Sequence, residues 1–422
     1  MRIGRKLGNR GFARLLLLAA AALGAAILLP RSAAAWSEQV LHSFCPQSGC
    51  ADGANPQAGL IMDAAGNLYG TTISGGANNR GVVFEVVPDG TESVLYSFCP
   101  LGFPCSDGNG PEAGLIMDAA GNLYGTTVLG GISTPAFNLG SGVMFELAPD
   151  GTETVLYSFV GPDGRYPQAG LIMDDAGNLY GTTLNGGAGV GCSRLRCGVV
   201  FELAADGAET VLYSFCPQSL CADGALPRAG LIMDAVGDLY GTTGNGGGTS
   251  DKGVVFELAP DGTETVLYSF CPQSGCADGA NPVAGLIMDA AGNLYGTTRN
   301  GGASDRGVVF EVAPDGTETV LYSFCPQSGC ADGANPVAGL IMDDAANLYG
   351  TTFEGGIGAA PGNGVVFELA PDGTETTLYS FCQQSGCADG ANPVAGLIMD
   401  AAGNLYGTAV GGGTSGKGVV FK

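Results

Sequence analysis

Short apolar runs, each closed off by Gly, Asp or Asn, recur from Val40 to Phe421. The string Val-Leu-Tyr-Ser-Phe, or a close variant, starts at Val40, Val94, Val155, Val211, Val266, Val320 and Thr377, at spacings of 54, 61, 56, 55, 54 and 57 residues. A steady period of this length marks a repeat architecture. In the fifth copy the pattern predicts strand A over Gly285–Asp289, B over Asn293–Thr298, C over Gly307–Ala313 and D over Glu318–Phe324. Each run is β-branched or aromatic and is bounded by turn formers. Pro-Asp-Gly joins C to D, with Pro presetting one dihedral and Gly tolerating positive φ. Each unit is therefore predicted to be a four-stranded antiparallel meander.

Seven such sheets close into a ring, which leaves only short, protected edges. The phase of the chain supports closure. It opens with a lone D-type strand, Val40–Phe44, and ends on a C-type strand, Gly418–Phe421, that lacks its own D. The expectation is an all-β, seven-bladed β-propeller of four-stranded antiparallel blades, in which the N-terminal strand completes the last blade. The alternative is an open stack of sheets.

Gly292-Asn293-Leu294-Tyr295-Gly296-Thr297-Thr298, then Gly301-Gly302, then Gly307-Val308-Val309-Phe310, resembles the GloVer repeat of choice-of-anchor tandem repeat proteins. The resemblance spans all seven units. It implies an exported bacterial protein with a repeat fold, and no established activity or site residues. Family members carry varied C-terminal sorting signals. The sequence here stops at Lys422 with no hydrophobic tail, a departure from that pattern.

The first residues read as an address. Arg2, Arg5, Lys6, Arg10 and Arg14 precede the uncharged run Leu15–Leu29, and Ala33-Ala34-Ala35 fits a small-residue cleavage site before Trp36. Residues 1–35 are thus expected to be a signal peptide, and 36–422 a single propeller domain, secreted or periplasmic. The run is shorter than the roughly 20 residues a membrane span needs. No later stretch is apolar enough to span a membrane.

Composition then sharpens the picture. Of 422 residues 74 are Gly, and 40 acids face 16 bases. Cleavage at Ala35 would remove six bases and no acid, leaving a net charge of −30. That charge argues against nucleic acid as a partner. Of the 40 acids, 32 fall at five recurring repeat positions, so most of the charge belongs to the repeat. No cofactor is implied; Ca²⁺ bridging by loop acids is kept only as an alternative.

The 14 cysteines fall into neighbouring pairs. Six pairs lie in D–A loops: Cys45 with Cys50, Cys99 with Cys105, Cys216 with Cys221, Cys271 with Cys276, Cys325 with Cys330, and Cys382 with Cys387. The seventh, Cys192 with Cys197, lies in the third B–C loop. In an exported chain these read as disulfides that rigidify loops, each stabilising by about 2 kcal/mol. The metal reading needs four ligands per zinc, and each pair stands alone.

No nucleophile motif or phosphate-cradling loop is present. The single histidine, His42, stands where other copies carry Tyr and reads as a replacement on an outer strand. Informative residues are those that break the repeat. All seven arginines after residue 35 (Arg80, Arg165, Arg194, Arg196, Arg228, Arg299 and Arg306) lie in D–A or B–C loops, as do Lys252 and Lys417. The third blade concentrates them, making Arg165, Tyr166, Arg194 and Arg196 the candidate ligand-binding residues. No catalytic and no metal-binding residue is assigned. The favoured reading is a non-enzymatic, monomeric, secreted propeller that binds a carbohydrate or protein through the D–A/B–C loop face. The competitors are a polysaccharide hydrolase or lyase, and a structural matrix or surface protein.

Overall fold

A computed structural model describes residues 36–133, 138–188, 197–217, 220–357 and 362–422. They form seven four-stranded sheets, so the fold is the expected seven-bladed β-propeller. In the first blade strand A is Ile61–Met62, B is Leu68–Thr72, C is Val82–Val86 and D is Glu92–Ser97, each antiparallel to the next. The last sheet has the order Val40–Ser43, Val419–Phe421, Leu405–Ala409, Ile398–Met399. The first strand thus supplies the seventh blade's D strand and closes the ring. Gln39 and Lys422 exchange two backbone hydrogen bonds of 2.9 Å at this seam.

The hydrophobic core lies between blades. Seven clusters each straddle one junction. At the first, Val83 and Phe98 of one blade pack on Leu115, Leu123, Phe145 and Leu147 of the next. Phe98 meets Phe145 edge to face at 5.1 Å. A bulge in each D strand widens this contact. Val83 pairs with Tyr96 and Phe84 with Val94, so Leu95 is the extra residue. Leu95 and Tyr96 then both pack on the junction, although they are sequence neighbours.

Inner strands are tied by side chains. Thr71 Oγ1 donates to the Ala113 carbonyl of the next blade at 3.1 Å, and Thr408 closes the ring onto Ala58 at 3.0 Å. Beside these carbonyls runs a closed circle of glycines. A Cβ on Gly59 would sit 3.7 Å from the Gly396 carbonyl, and one on Gly114 would sit 3.5 Å from that of Gly59. The same contact continues through Gly170, Gly230, Gly285 and Gly339 to Gly396. This explains why strand A is shorter than its pattern suggests. In the fifth blade only Ile287–Met288 pair with strand B, because Gly285 packs against the next blade and Asp289 folds the A–B turn.

The glycine inside strand B has a different cause. A Cβ on Gly296 would fall 2.6 Å from Phe310 Cζ and 2.9 Å from Leu286. Gly296→Ala is therefore expected to destabilise the fold by about 1–3 kcal/mol through overpacking. A urea unfolding midpoint unchanged from the parent would contradict this packing.

Candidate functional site

Backbone bridges show which loops share a face. Ala54 pairs with Ser74, Ala280 with Asn300 and Ala391 with Gly411, so each D–A loop is clipped to the B–C loop of its own blade. The residue after the clipped position reaches back to the preceding blade. Asn281 N donates to Lys252 O at 2.7 Å, while its side-chain amide donates to Gly244 O at 2.8 Å. Asn55 makes the same backbone bond to Lys417 across the seam. The loop face is thus laced around the ring, and its scaffold is rigid.

The disulfides belong to this lacing. Cys45 is bonded to Cys50, Cys99 to Cys105, Cys216 to Cys221, Cys271 to Cys276, Cys325 to Cys330 and Cys382 to Cys387, as expected. The second cysteine of each pair does more than close its own loop. The Cys50 carbonyl accepts from the amides of Gly53 in the D–A loop and Gly76 in the B–C loop. Cys105 accepts likewise from Gly108 and Gly131, and Cys221 from Gly224 and Gly247. Cys276, Cys330 and Cys387 hold Gly302, Gly356 and Gly413 in the same way. Each staple therefore anchors two loops, where the sequence suggested only one. Cys197 is disulfide-bonded as well, and its expected partner Cys192 lies outside the described residues.

Most acids have structural work. Asp289 accepts bonds from the Ala291 and Asn293 amides, the Asn293 side chain and Tyr295, which folds the A–B turn. Burial opposes ionisation there, but those four donors win and hold the carboxyl below its ordinary value. Asp278 accepts from Tyr268 and from the Cys271 amide. His42 follows the same rule: its Nε2 lies 3.1 Å from Asp52, the bond that Tyr makes elsewhere. Asp315 caps the C–D turn through the Thr317 amide.

One recurring acid is different. The D-strand glutamates Glu38, Glu92, Glu153, Glu209, Glu264 and Glu318 each bury an Oε1 that has no hydrogen-bond partner. Each faces the loop aspartate of the preceding blade. Burial first, then repulsion from Asp107, pushes Glu153 up to about 7 although Tyr96 bonds to it. Glu38, Glu92, Glu264, Glu318 and Glu375 also rise to about 7, and Glu209 rises too.

Of the candidate binding residues, Arg165 and Tyr166 lie together in the third D–A loop. Arg165 takes the clipped position opposite Asn185, and Tyr166 takes the lacing position with φ of 58°. The Arg165 guanidinium stacks 4.5 Å above the Tyr166 ring, donates to its hydroxyl, and is only 4% exposed. Arg194 and Arg196 lie outside the described residues.

The structure brings forward residues that the sequence reading passed over. Immediately before each Ala-Gly of the axial circle stand Gln57, Glu112, Gln168, Arg228, Val283, Val337 and Val394. They stand beside the circle of glycines, at the D–A loop end of the inner strands. Four neighbouring positions are polar and three are Val. Gln168 Nε2 donates to Glu112 at 2.9 Å across a blade junction. Burial raises the Glu112 carboxyl, against the Gln168 bond and the charge of Arg228 two blades away. Arg228 is exposed. The signal was present in the sequence as one variable column inside an otherwise constant motif.

The Gloeobacter/Verrucomicrobia repeat model matches residues 101–282 and 247–422. The chain belongs to that repeat family. No curated protein matches it. Solved structures similar to this family member include puromycin hydrolase, at 13% identity over 84% of this chain and 50% of that one, with a TM-score of 0.47. Another is a surface component of the type-IX secretion system of Porphyromonas gingivalis, at 15% identity over 86% and 46%, with a TM-score of 0.46. A third is a gluconolactonase of Xanthomonas campestris, at 17% identity over 66% and 77%, with a TM-score of 0.39. At such identities and TM-scores these likenesses assign nothing to the chain. Among the described residues of this repeat protein no helix is long and apolar enough to cross a membrane.

Proposed function

We propose that the protein is an exported, non-enzymatic binding propeller. Residues 1–35 direct export and are removed, and residues 36–422 act as one domain that recognises a polar extracellular ligand. Paired disulfides suit an oxidising compartment. Recognition uses the D–A/B–C loop face, centred on the residues beside the glycine circle. The observation that carries this reading is the polar run of Gln57, Glu112, Gln168 and Arg228 in neighbouring blades, which breaks the repeat beside the glycine circle while the opposite turns are nearly invariant. Variable side chains on a rigid scaffold are the usual form of a binding surface. Arg194 and Arg196, in the third B–C loop of the sequence, are further candidate ligand contacts.

An array of glycans and secreted proteins tests the reading. Binding to at least one member is expected to fall at least about tenfold in the Glu112→Gln/Arg228→Ala double variant, a loss of about 1.4 kcal/mol. Arg194→Ala/Arg196→Ala is expected to weaken the same interaction. Binding that both double variants retain in full removes the axial residues and the third-blade arginines from the proposal. Turnover of an arrayed glycan removes the non-enzymatic part.

A further inference from the structure

We propose that the groove between the fifth and sixth blades is a binding site for a short neutral oligosaccharide. A cavity of about 630 Å³ opens there, walled by the D–A loop that follows the fifth blade, by Ile357, by the sixth D strand, Glu375–Ser380, and by Gln383. That volume lies within the ~300–1,000 Å³ typical of small-ligand sites.

Three departures from the repeat converge on this one groove. Thr377 stands where the other six copies have Val40, Val94, Val155, Val211, Val266 and Val320. Gln383 stands where most copies have Pro, such as Pro272 and Pro326. Ile357, 68% exposed, comes from one of the lengthened B–C loops. All three line the cavity. Two of the changes turn an apolar consensus residue into a polar one on the same solvent-accessible wall.

Each change has a local consequence. Thr377 Oγ1 donates to Glu375 Oε1 at 3.1 Å, so this glutamate oxygen is satisfied where its described counterparts in six other copies are orphaned. Gln383 Nε2 donates to the Ile357 carbonyl at 2.7 Å and holds Ile357 in the wall. Ser380 Oγ accepts from the Ile357 amide at 3.3 Å. The junction is therefore more polar than its counterparts.

The lining suits a sugar. Tyr322, Tyr379, Leu378 and Ile357 offer apolar surface to the C–H face of a pyranose. The Tyr hydroxyls are already committed to Asp332 and Asp389, which leaves the rings as the contact surface. Gln327, Gln383, Asp332 and Glu375 supply amide and carboxyl groups for hydroxyls. Burial first, then Asp332, pushes Glu375 up to about 7 despite the Thr377 bond, so near neutral pH it both donates and accepts. Among the described residues, no Lys, Arg or His lines the groove. Uronates and sulfated glycans would meet Asp332 with no compensating base, so the class is a neutral saccharide.

The groove is separate from the axial residues, and its test is independent of their variants. The probes are cellotriose, maltotriose and chitotriose, with trigalacturonate and a Lys-rich peptide as charged controls, titrated calorimetrically into the purified protein. Thr377→Val/Gln383→Ala removes both polar side chains but keeps the Gln383 backbone amide that donates to Asp389 at 2.8 Å, so folding is expected to survive. At least one neutral trisaccharide is expected to bind, and the double variant to bind it at least about tenfold more weakly with an unchanged melting temperature. Glu112→Gln/Arg228→Ala is expected to leave this affinity intact. The proposal is overturned by no binding of any of the three up to about 10 mM, by equal binding in the double variant, or by binding of a charged control alone.

Discussion

A chain lacking residues 37–44 is expected to lose its cooperative fold. The deletion takes away the seventh blade's outer strand and strips the pairings of Val40 with Phe421 and Ser43 with Val419. It also removes Phe44, fully buried among Leu60, Leu68, Val82, Phe84, Val86 and Val420 at the closing junction. The ring is then held at that seam by the remaining contacts, such as Thr408 to Ala58, Asn55 to Lys417 and the packing of Val420. The milder Phe44→Ala is expected to cost about 3–5 kcal/mol, the range for emptying a buried aromatic site. Size exclusion and near-ultraviolet circular dichroism read the deletion, and urea unfolding reads the point variant. A deletion variant with a parental melting curve would show that the seam does not hold the ring.

Acidification from pH 8 to pH 5 is expected to stabilise the protein. Six of the D-strand glutamates have folded values near 7 against an unfolded value near 4.5, and Glu209 is raised as well, so the folded state binds protons more tightly. Their contribution is complete below pH 4.5 and is lost as the pH rises through about 7. Each is partly open to solvent, so about 1 kcal/mol per site is a screened figure, and the seven together reach several kcal/mol. The turn aspartates act in the opposite sense. Burial would raise Asp400, but donors such as Asn404 and Tyr406 win and hold it at about 2, so its contribution is present above 3.8 and lost as the pH falls through about 2. Maximum stability is therefore expected near pH 4.5. Urea midpoints between pH 3 and 8 measure this, and Glu318→Gln is expected to flatten the slope on the alkaline side by about one-seventh. A midpoint that rises from pH 5 to pH 8 would reject this reading of the glutamates.

Much of the architecture was legible because a repeat states its strand pattern seven times. Strands B, C and D lie within a residue of their expected bounds in the fifth blade. Strand A did not, since nothing local distinguishes a glycine that pairs from one that packs on its neighbour's carbonyl. Arg165 was legible as a break in the repeat, but its burial over Tyr166 depends on the clip to Asn185. Glu112 and Arg228 are 116 positions apart in the chain, and only ring closure places them close enough for one charge to act on the other. The polar groove at Thr377 and Gln383 was likewise invisible, because its walls come from two blades.

Local rules, applied to one chain, decided the number of blades, the strand order, the cysteine pairs and the role of the first strand as the missing D. These depend on period, turn chemistry and phase, all written in neighbouring residues. The location of the core between blades, the raised glutamates, the grouping of the axial residues and the rim groove came from the tertiary structure. Each depends on which side chains from different blades share a desolvated space, and that distance is set by closure of the ring.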